Sequence, residues 1–190
     1  IVDILLMNSR QPNSAFGDLN GQLNALDLGV KRLDALLDEY GPDLVKAALD
    51  ALGDRAETLM RAAISGLPDG SWQAEDFLDN DGISDEPLPI RLTLTIRGDR
   101  LTLDFTGSAG PAQGPINISR STSIACCYVA IKHIFPDLPA NAGVMRPIDF
   151  VIPDKSLLSA EFPKPVGGYT ETILRMIDVI FATFANAAPD

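Results

Sequence analysis

The sequence contains few of the residues from which metal sites and disulfide frameworks are built. Its 190 residues include one histidine, two cysteines and one tryptophan. Because His133 is the only histidine, a histidine-rich zinc site is excluded, and a Ser/His/Asp triad would need that residue. Cys126 and Cys127 are adjacent, so a disulfide between them would be strained and would close no useful loop. A reducing, cytoplasmic environment is expected.

Basic residues and long apolar runs are also scarce. There are 15 Lys and Arg against 26 Asp and Glu, a formal net charge of −11, and no basic stripe interleaved with aromatics. Such a surface repels phosphate backbones, so nucleic acid is not an expected partner. The longest apolar run, near residues 1–7, is interrupted by Asp3 and is too short to span a bilayer. The first residue is Ile1, and an apolar helical pattern ends the chain, so we expect an internal segment of a larger protein.

Two helices are predicted in the first 70 residues. Between Ser14 and Tyr40 an apolar stripe repeats at spacings of four and three, at Leu19, Leu23, Leu26, Val30, Leu33 and Leu37. Gly41-Pro42 ends this helix and begins the next, which runs to about Ser65. The inward face of the second helix is expected at Val45, Ala48 or Leu49, Leu52, Ala56, Leu59 and Ala63. The pair is predicted to form an N-terminal antiparallel helix hairpin.

From Ser71 the period changes to that of β-strands. Trp72 to Leu78 predicts a short strand, and the alternation over 90–96 and 101–105 around Gly98-Asp99 predicts an antiparallel β-hairpin. A helix over 119–135, a strand over 148–152 and a last helix from about Thr170 complete the order. This order favours an α+β fold: the helix hairpin (1–70), then a segment (71–190) with a β-hairpin region followed by α-β-α.

Several chemically suggestive residues have ordinary structural interpretations. His133 lies near a helix end, where positive charge complements the helix dipole, so a cap-proximal or packing role is predicted. The two cysteines lie on an apolar helical face and are interpreted as small core residues. An Asn-Asp-Gly run lies in an acidic segment but lacks the downstream glutamate of an EF-hand, and it predicts a solvated turn. The carboxylates of that segment are Asp76, Asp79, Asp81, Asp85 and Glu86.

The strongest local candidate for a functional site is the run from Gly167 to Thr172, Gly-Gly-Tyr-Thr-Glu-Thr. Two glycines allow close approach of a ligand, and the following helix start presents free N–H groups that favour an anion. Thr170 or Thr172 can donate a hydroxyl, and Glu171 can act as a base, a metal ligand or a partner of the helix dipole. These three are the predicted catalytic residues. Gly167, Gly168 and Asn117 are the predicted substrate- or anion-binding residues, and no metal ligand is assigned. A glycine entry with a Thr N-cap is the alternative explanation.

Several short motifs occur in an order and spacing typical of one family. They are Asn8-Ser9-Arg10 with Pro12, Gly17-Asp18-Leu19-Asn20-Gly21-Gln22, Asp104-Phe105-Thr106-Gly107-Ser108, Gly114-Pro115-Ile116-Asn117, Asn141-Ala142-Gly143 with Arg146-Pro147, and Val166-Gly167-Gly168 with Glu171-Thr172. Over essentially its whole length the chain resembles the hydantoinase B family, which includes a half of 5-oxoprolinase and the large subunits of acetone and acetophenone carboxylases. It departs from the family at Thr170, where Asn is frequent, and at Ile173, where a small polar residue is frequent.

The resemblance implies an ATP-dependent hydrolase of cyclic amides, of the hydantoin or 5-oxoproline type. It implies a hetero-oligomer in which a hydantoinase A-type subunit or domain binds ATP, with a divalent metal in the full-length protein. No cofactor is assigned to this chain itself. Family members are several hundred residues long, and their His- and Asp-bearing metal segments precede the stretch that this chain resembles. Residues 1–70 and 71–190 are therefore expected to be parts of one larger family domain truncated at both ends, inactive in isolation.

Two alternatives remain open. The chain is also consistent with a segment of a ketone carboxylase large subunit, because nothing in it separates carboxylation from hydrolysis, although the hydantoinase branch is the broader expectation. The other alternative is a non-catalytic packing and assembly module, which supports a site completed by other residues.

Overall fold

Five α-helices and four β-strands occur in residues 1–188, the part of the chain that the computed structural model describes. In chain order they are α1 (Val2–Met7), α2 (Pro12–Tyr40), α3 (Pro42–Ser65), β1 (Gly70–Leu78), β2 (Leu88–Arg97), β3 (Arg100–Asp104), α4 (Arg120–Ile134), a 3-10 helix (Ala142–Met145), β4 (Ile148–Val151) and α5 (Tyr169–Ala187). Tertiary contacts divide the chain within α3 into two units, Ile1–Ala51 and Leu52–Asp190. Within residues 1–188, no helix is long and apolar enough to cross a membrane.

The second unit is built on one mixed sheet in the order β1-β2-β3-β4. The first three strands are antiparallel, and β4 lies parallel to β3. One row across the sheet places Trp72 beside Leu94, Leu94 beside Leu103, and Leu103 beside Phe150. Alternation along β2 buries the side chains from Ile90 to Ile96 at every second position, while the threonines between them are only partly covered. This is the pattern of a sheet with one face in the core.

Helix α5 covers the buried face of the sheet, and α4 lies against α5. The strands that α5 contacts are β1 and β2. The buried residues of α5 recur at spacings of three and four, as the inward stripe of an amphipathic helix requires. Ser119 caps α4 by accepting a hydrogen bond from the N–H of Thr122 (3.2 Å). The C-terminal part of α3 also enters this core through Ala56, Met60 and Ile64.

The segment 141–146 is fixed to the part of α3 that lies in the second unit. The Asn141 side chain donates to the carbonyl of Leu52 (3.3 Å) and accepts from the N–H of Gly143 (2.8 Å). A Cβ on Gly143 would overlap the carbonyl oxygen of Gly53 and lie 2.9 Å from the Ala56 side chain. Arg146 completes the contact through ion pairs with Asp54 (2.7 Å) and Glu57 (3.2 Å). The resemblance motif Asn-Ala-Gly with Arg-Pro is therefore a docking segment.

In the first unit the predicted helices form, but their predicted packing does not. No residue of α2 is buried, and Leu26 and Val30 are 67% and 59% exposed. The predicted antiparallel hairpin is thus not seen as a packed pair between α2 and the 42–51 part of α3. The inward face predicted for α3 was also wrong at its leucines, because Leu49, Leu52 and Leu59 are exposed. Ala56 of the predicted face is buried, together with Met60 and Ile64, which the prediction did not include.

The α+β fold class is confirmed, as are the helices and strands that the sequence predicts, with ends shifted by a few residues. Helix α1 and the 3-10 helix were not predicted. Both are short, at 6 and 4 residues, and neither contains enough turns for a periodic apolar pattern.

Gly143→Ala is expected to destabilise the chain by about 1–3 kcal/mol, because the added methyl group meets helix backbone that cannot move aside cheaply. Gly110→Ala is the matched control, since a Cβ at Gly110 has no atom within 4 Å. Denaturant midpoints of the two variants and the parent chain measure the difference. Equal midpoints for the two variants would show that segment 141–146 is not held as closely as described.

Candidate functional site

A polar cleft lies where the end of β1 approaches the N-terminal turns of α5. Its volume is about 420 Å³, and all of its lining belongs to the second unit. One wall is the stretch 77–82, which ends β1 and enters the following loop. The other walls are Pro115 and Ile116 from the connection before α4, and Glu171 and Arg175 from α5. The cleft therefore includes one predicted catalytic residue, Glu171.

Asp81 holds the cleft wall together. Its side chain is buried, and one carboxylate oxygen accepts from the N–H groups of Ile83 (2.9 Å) and Ser84 (2.7 Å). The other oxygen accepts from the N–H groups of Gln113 and Gly114, both at 2.9 Å. These four backbone donors hold the pKa of Asp81 well below its usual range, with the N–H of Ser84 contributing most. The solvated turn predicted from Asn-Asp-Gly was therefore wrong for Asp81, whose carboxylate joins two loops.

Asn117 makes the next connection and is fully buried. Its Oδ1 accepts from the N–H of Ala112 (2.8 Å), and its Nδ2 donates to the carbonyls of Ala112 (3.1 Å), Gly114 (3.0 Å) and Pro165 (3.0 Å). Backbone partners thus occupy both its acceptor and its donors. The observed contacts of Asn117 are those of a residue that holds the 112–114 loop against the segment leading into α5.

The start of α5 is positioned by the same connection. The N–H of Gly168, the N-cap residue, donates to the carbonyl of Pro115 (2.8 Å). The fully buried hydroxyl of Thr172 donates to the carbonyl of Ile116. No side chain in residues 1–188 caps the N-terminus of α5, so the predicted Thr N-cap is not observed. The first turn of α5 consequently leaves its backbone N–H groups without a side-chain acceptor.

The remaining predicted residues are exposed at or beside the cleft. Gly167, Thr170 and Glu171 are all exposed, and a Cβ at Gly167 would meet nothing within 4 Å. Glu171 lies one helical turn before Arg175, and the two line the same cleft. The structure therefore brings the exposed carboxylate of Glu171 to the cleft, whereas the Thr172 side chain is buried in the core.

Arg175 is a cleft residue that the sequence did not single out. Its Nη1 pairs with Asp76 (2.5 Å), and its Nε is buried without a hydrogen-bond partner among residues 1–188. The N–H of Phe77 and the guanidinium of Arg175 lower the pKa of Asp76. An arginine four residues after Glu171 on a helix was the one signal in the sequence, but i,i+4 charge pairs are common on solvated helix faces.

The cysteines and the histidine have structural environments. Cys126 and Cys127 are free and buried, as predicted, and burial raises the pKa of Cys126 to about 11. His133 lies in the last turn of α4, where its Nδ1 donates to the carbonyl of Val129 (2.8 Å) and its ring contacts Phe181 edge to face. In the described residues no group of three or more His, Cys, Asp or Glu side chains could hold a metal ion.

Comparison with known proteins gives a family match over the whole chain. The family model described as hydantoinase B/oxoprolinase matches residues 1–190. Among curated proteins, the B-type subunit of a putative D-/L-hydantoinase from Pseudomonas sp. (strain NS671) is 33% identical over 98% of this chain and 34% of its own length. The chain thus spans about a third of the length of this relative.

Solved structures support the same fold. The crystal structure of an ATP-dependent caprolactamase from Pseudomonas jessenii matches 99% of this chain and 33% of its own, with a TM-score of 0.89 and 30% identity. A nucleotide-free acetone carboxylase structure matches 76% of this chain and 21% of its own, with a TM-score of 0.66 and 19% identity. The second likeness concerns the fold alone.

Asp81→Asn is expected to lower the unfolding midpoint near neutral pH, because it replaces one acceptor oxygen by an NH₂ group facing backbone donors. The lowered pKa of Asp81 stabilises the fold above the ordinary Asp value of about 3.9, and this stabilisation is lost as pH falls below it. The midpoint difference between the parent and Asp81→Asn should therefore narrow in acid.

The matched control is Asp85→Asn, an exposed residue in the same loop. Urea unfolding across pH checks both variants. A difference between the parent and Asp81→Asn that stays constant with pH, or a midpoint equal to that of Asp85→Asn, would contradict the assignment.

Proposed function

Because this chain belongs to the hydantoinase B/oxoprolinase family, we propose that it forms part of an ATP-dependent hydrolase of cyclic amides, of the hydantoin or 5-oxoproline type. The observation that carries the proposal is the likeness to the ATP-dependent caprolactamase, at 30% identity over 99% of this chain. Two relatives are named as subunits, one of a hydantoinase and one, the beta subunit, of a caprolactamase, so a partner subunit is part of the proposal. We further propose that this partner is of the ATP-binding hydantoinase A type.

The chemistry explains why ATP would be needed. An amide is a poor electrophile with a poor leaving group, because its nitrogen delocalises into the carbonyl. Transfer of the γ-phosphoryl group to the carbonyl oxygen activates the ring carbon and releases ADP. Water then adds to that carbon, the ring C–N bond breaks, the nitrogen takes up a proton, and the product is an open-chain acyl phosphate. A second water hydrolyses this acyl phosphate to the carboxylate and phosphate. The overall reaction converts cyclic amide, ATP and two waters to the open-chain acid, ADP and phosphate.

Within this reaction we assign the polar cleft a role in binding the substrate. Glu171 is the proposed base or hydrogen-bond acceptor, because its exposed carboxylate lines the cleft beside a guanidinium. Thr170 and the uncapped N–H groups at the start of α5 are proposed to meet an anionic or carbonyl oxygen, with Gly167 and Gly168 leaving the backbone accessible. Asn117 and Thr172 are proposed as positioning residues, since backbone partners occupy their polar atoms.

The metal and nucleotide implied by the family are not assigned to this chain. Residues 1–188 bring no three metal-ligating side chains together, so they do not provide the donor set for a divalent ion. The sequence has neither a GxGxxG nor a Walker A loop, and ATP is proposed to bind the partner subunit.

The function is tested by assaying the complete gene product containing this sequence together with its A-type partner. Hydantoins, 5-oxoproline and lactams are supplied with ATP, and ring opening is followed together with ADP release. We expect ring opening that depends on ATP and on both subunits. If label from bicarbonate enters the product of a ketone and no cyclic amide is opened, the enzyme is a carboxylase and the hydrolase proposal is wrong.

Glu171→Gln in that complete enzyme is expected to lower kcat by about 10²-fold, the usual contribution of a positioned acid or base. The change keeps the side-chain shape and removes the charge. Glu161→Gln is the matched control, because Glu161 is exposed and does not line the cleft. Steady-state kinetics measure kcat of both variants and of the parent enzyme. Turnover by Glu171→Gln at the parental rate would show that Glu171 has no catalytic role.

A further inference from the structure

An ion pair between Asp76 and Arg175 sets the charge of the cleft where β1 meets α5. One carboxylate oxygen of Asp76 accepts from the N–H of Phe77 (2.7 Å), and the other accepts from Nη1 of Arg175 (2.5 Å). Asp178, three residues further along α5, makes a longer contact with the same Nη1 (3.6 Å). The single positive charge of Arg175 therefore already faces two carboxylates of this chain.

The guanidinium of Arg175 also offers no open edge to a carboxylate ligand. Arginine binds carboxylates best when two of its N–H groups donate together. Arg61 does so in this chain, where Nε (2.9 Å) and Nη2 (2.7 Å) donate to one oxygen of Glu57. In Arg175 the Nε of that edge is buried, and Nη1 on the other edge is paired with Asp76. Arg175 is therefore neutralised by the protein and cannot make a two-point contact with a substrate carboxylate.

The remaining charges of the cleft wall are negative. Among residues 1–188 the lining includes Asp79, Asp81 and Glu171, and Arg175 is its only basic residue. Four backbone N–H groups surround the carboxylate of Asp81, whereas Asp79 and Glu171 are exposed. Glu171 lies in the first turn of α5, where its charge offsets the partial positive charge of the helix N-terminus. A carboxylate that enters the cleft thus meets like charge and no free cation of this chain.

We propose that the Asp76–Arg175 pair makes the cleft select uncharged cyclic amides, such as hydantoins and unsubstituted lactams, over cyclic amides that carry a carboxylate. The inference rests on the proposed function, since it concerns which cyclic amide the cleft binds. Asp76 is the specificity-determining residue, because it cancels the one charge of the wall that could attract a carboxylate. An uncharged ring is not affected by this cancellation, since its carbonyl and N–H groups need hydrogen-bond partners and no counter-charge.

The test uses the complete enzyme with its A-type partner and ATP, and two pairs of substrates that share a ring. The first pair is 2-pyrrolidinone and 5-oxoproline, and the second is hydantoin and hydantoin-5-acetic acid. Phosphoryl transfer to the common ring is the same step in both members of a pair, so their difference reports the added carboxylate. We expect kcat/KM to be at least about tenfold higher for the uncharged member, as repulsion by one uncompensated charge a few ångströms away would produce.

Asp76→Asn should reduce this preference at least about fivefold, because it leaves the charge of Arg175 without its nearest counter-charge. Combining Asp76→Asn with Arg175→Gln should restore the parental preference, since both charges of the pair are then removed. Glu75→Gln is the matched control and should leave the preference unchanged. Glu75 is the neighbouring residue on β1 and pairs with Arg91 (2.7 Å), but its side chain lies on the opposite face of the strand and does not line the cleft.

An equal or higher kcat/KM for the carboxylate-bearing members would overturn the inference and leave the proposed function standing, whereas failure to open any ring would overturn both. A purely structural role for the pair would lower kcat/KM for both members alike, so an unchanged ratio in Asp76→Asn would overturn the assignment of Asp76. An equal change in Glu75→Gln would do the same. The double variant is informative even if Asp76→Asn does not fold, because its preference for the uncharged member would rise above the parental value if Arg175 bound the substrate carboxylate.

Discussion

Four backbone N–H groups converge on the carboxylate of Asp81, and the shape of the cleft depends on that convergence. A buried carboxylate is tolerated only where hydrogen bonds replace its water, and here the replacing donors come from two loops far apart in sequence. Their approach is so close that a Cβ on Gly114 would overlap the backbone of Asp81. The Gly114 position of the Gly-Pro-Ile-Asn motif is thus explained by packing against a buried anion.

Further hydrogen bonds link the loop held by Asp81 to the start of α5, the helix that carries the catalytic candidate Glu171. Asn117 joins the 112–114 loop to Pro165, and the carbonyls of Pro115 and Ile116 receive hydrogen bonds from Gly168 and Thr172 at the start of α5. Glu171 is therefore held on a helix whose first turn is fixed on its inner side, which is the kind of support that a precisely oriented functional group needs.

Periodicity in the sequence was sufficient for the main elements of the second unit and for the burial of the cysteines. The same reasoning misjudged Asp81, because an Asn-Asp-Gly turn has the same local appearance whether its carboxylate meets water or the N–H groups of residues 113 and 114. It named Thr172 and Asn117 as functional candidates from their place in the Gly-Gly-Tyr-Thr-Glu-Thr and Gly-Pro-Ile-Asn motifs, and those assignments stay predictions. Their actual hydrogen-bond partners, Ile116 and Pro165, lie 56 and 48 residues away, and no local pattern encodes such pairings.

Helices α2 and α3 show what an apolar stripe does and does not determine. The stripe of α3 was assigned by spacing to a face that includes Leu52, Ala56 and Leu59. Ala56 is buried as predicted, but the two leucines are exposed, and Met60 and Ile64 are buried instead. The small Ala56 side chain admits Gly143 at close range. The spacing of apolar residues shows that a helix has a face to bury, whereas the shape and charge of its neighbour decide which face is buried. Helix α2 makes the same point, because its residues form a regular apolar period and none of them is buried within residues 1–188.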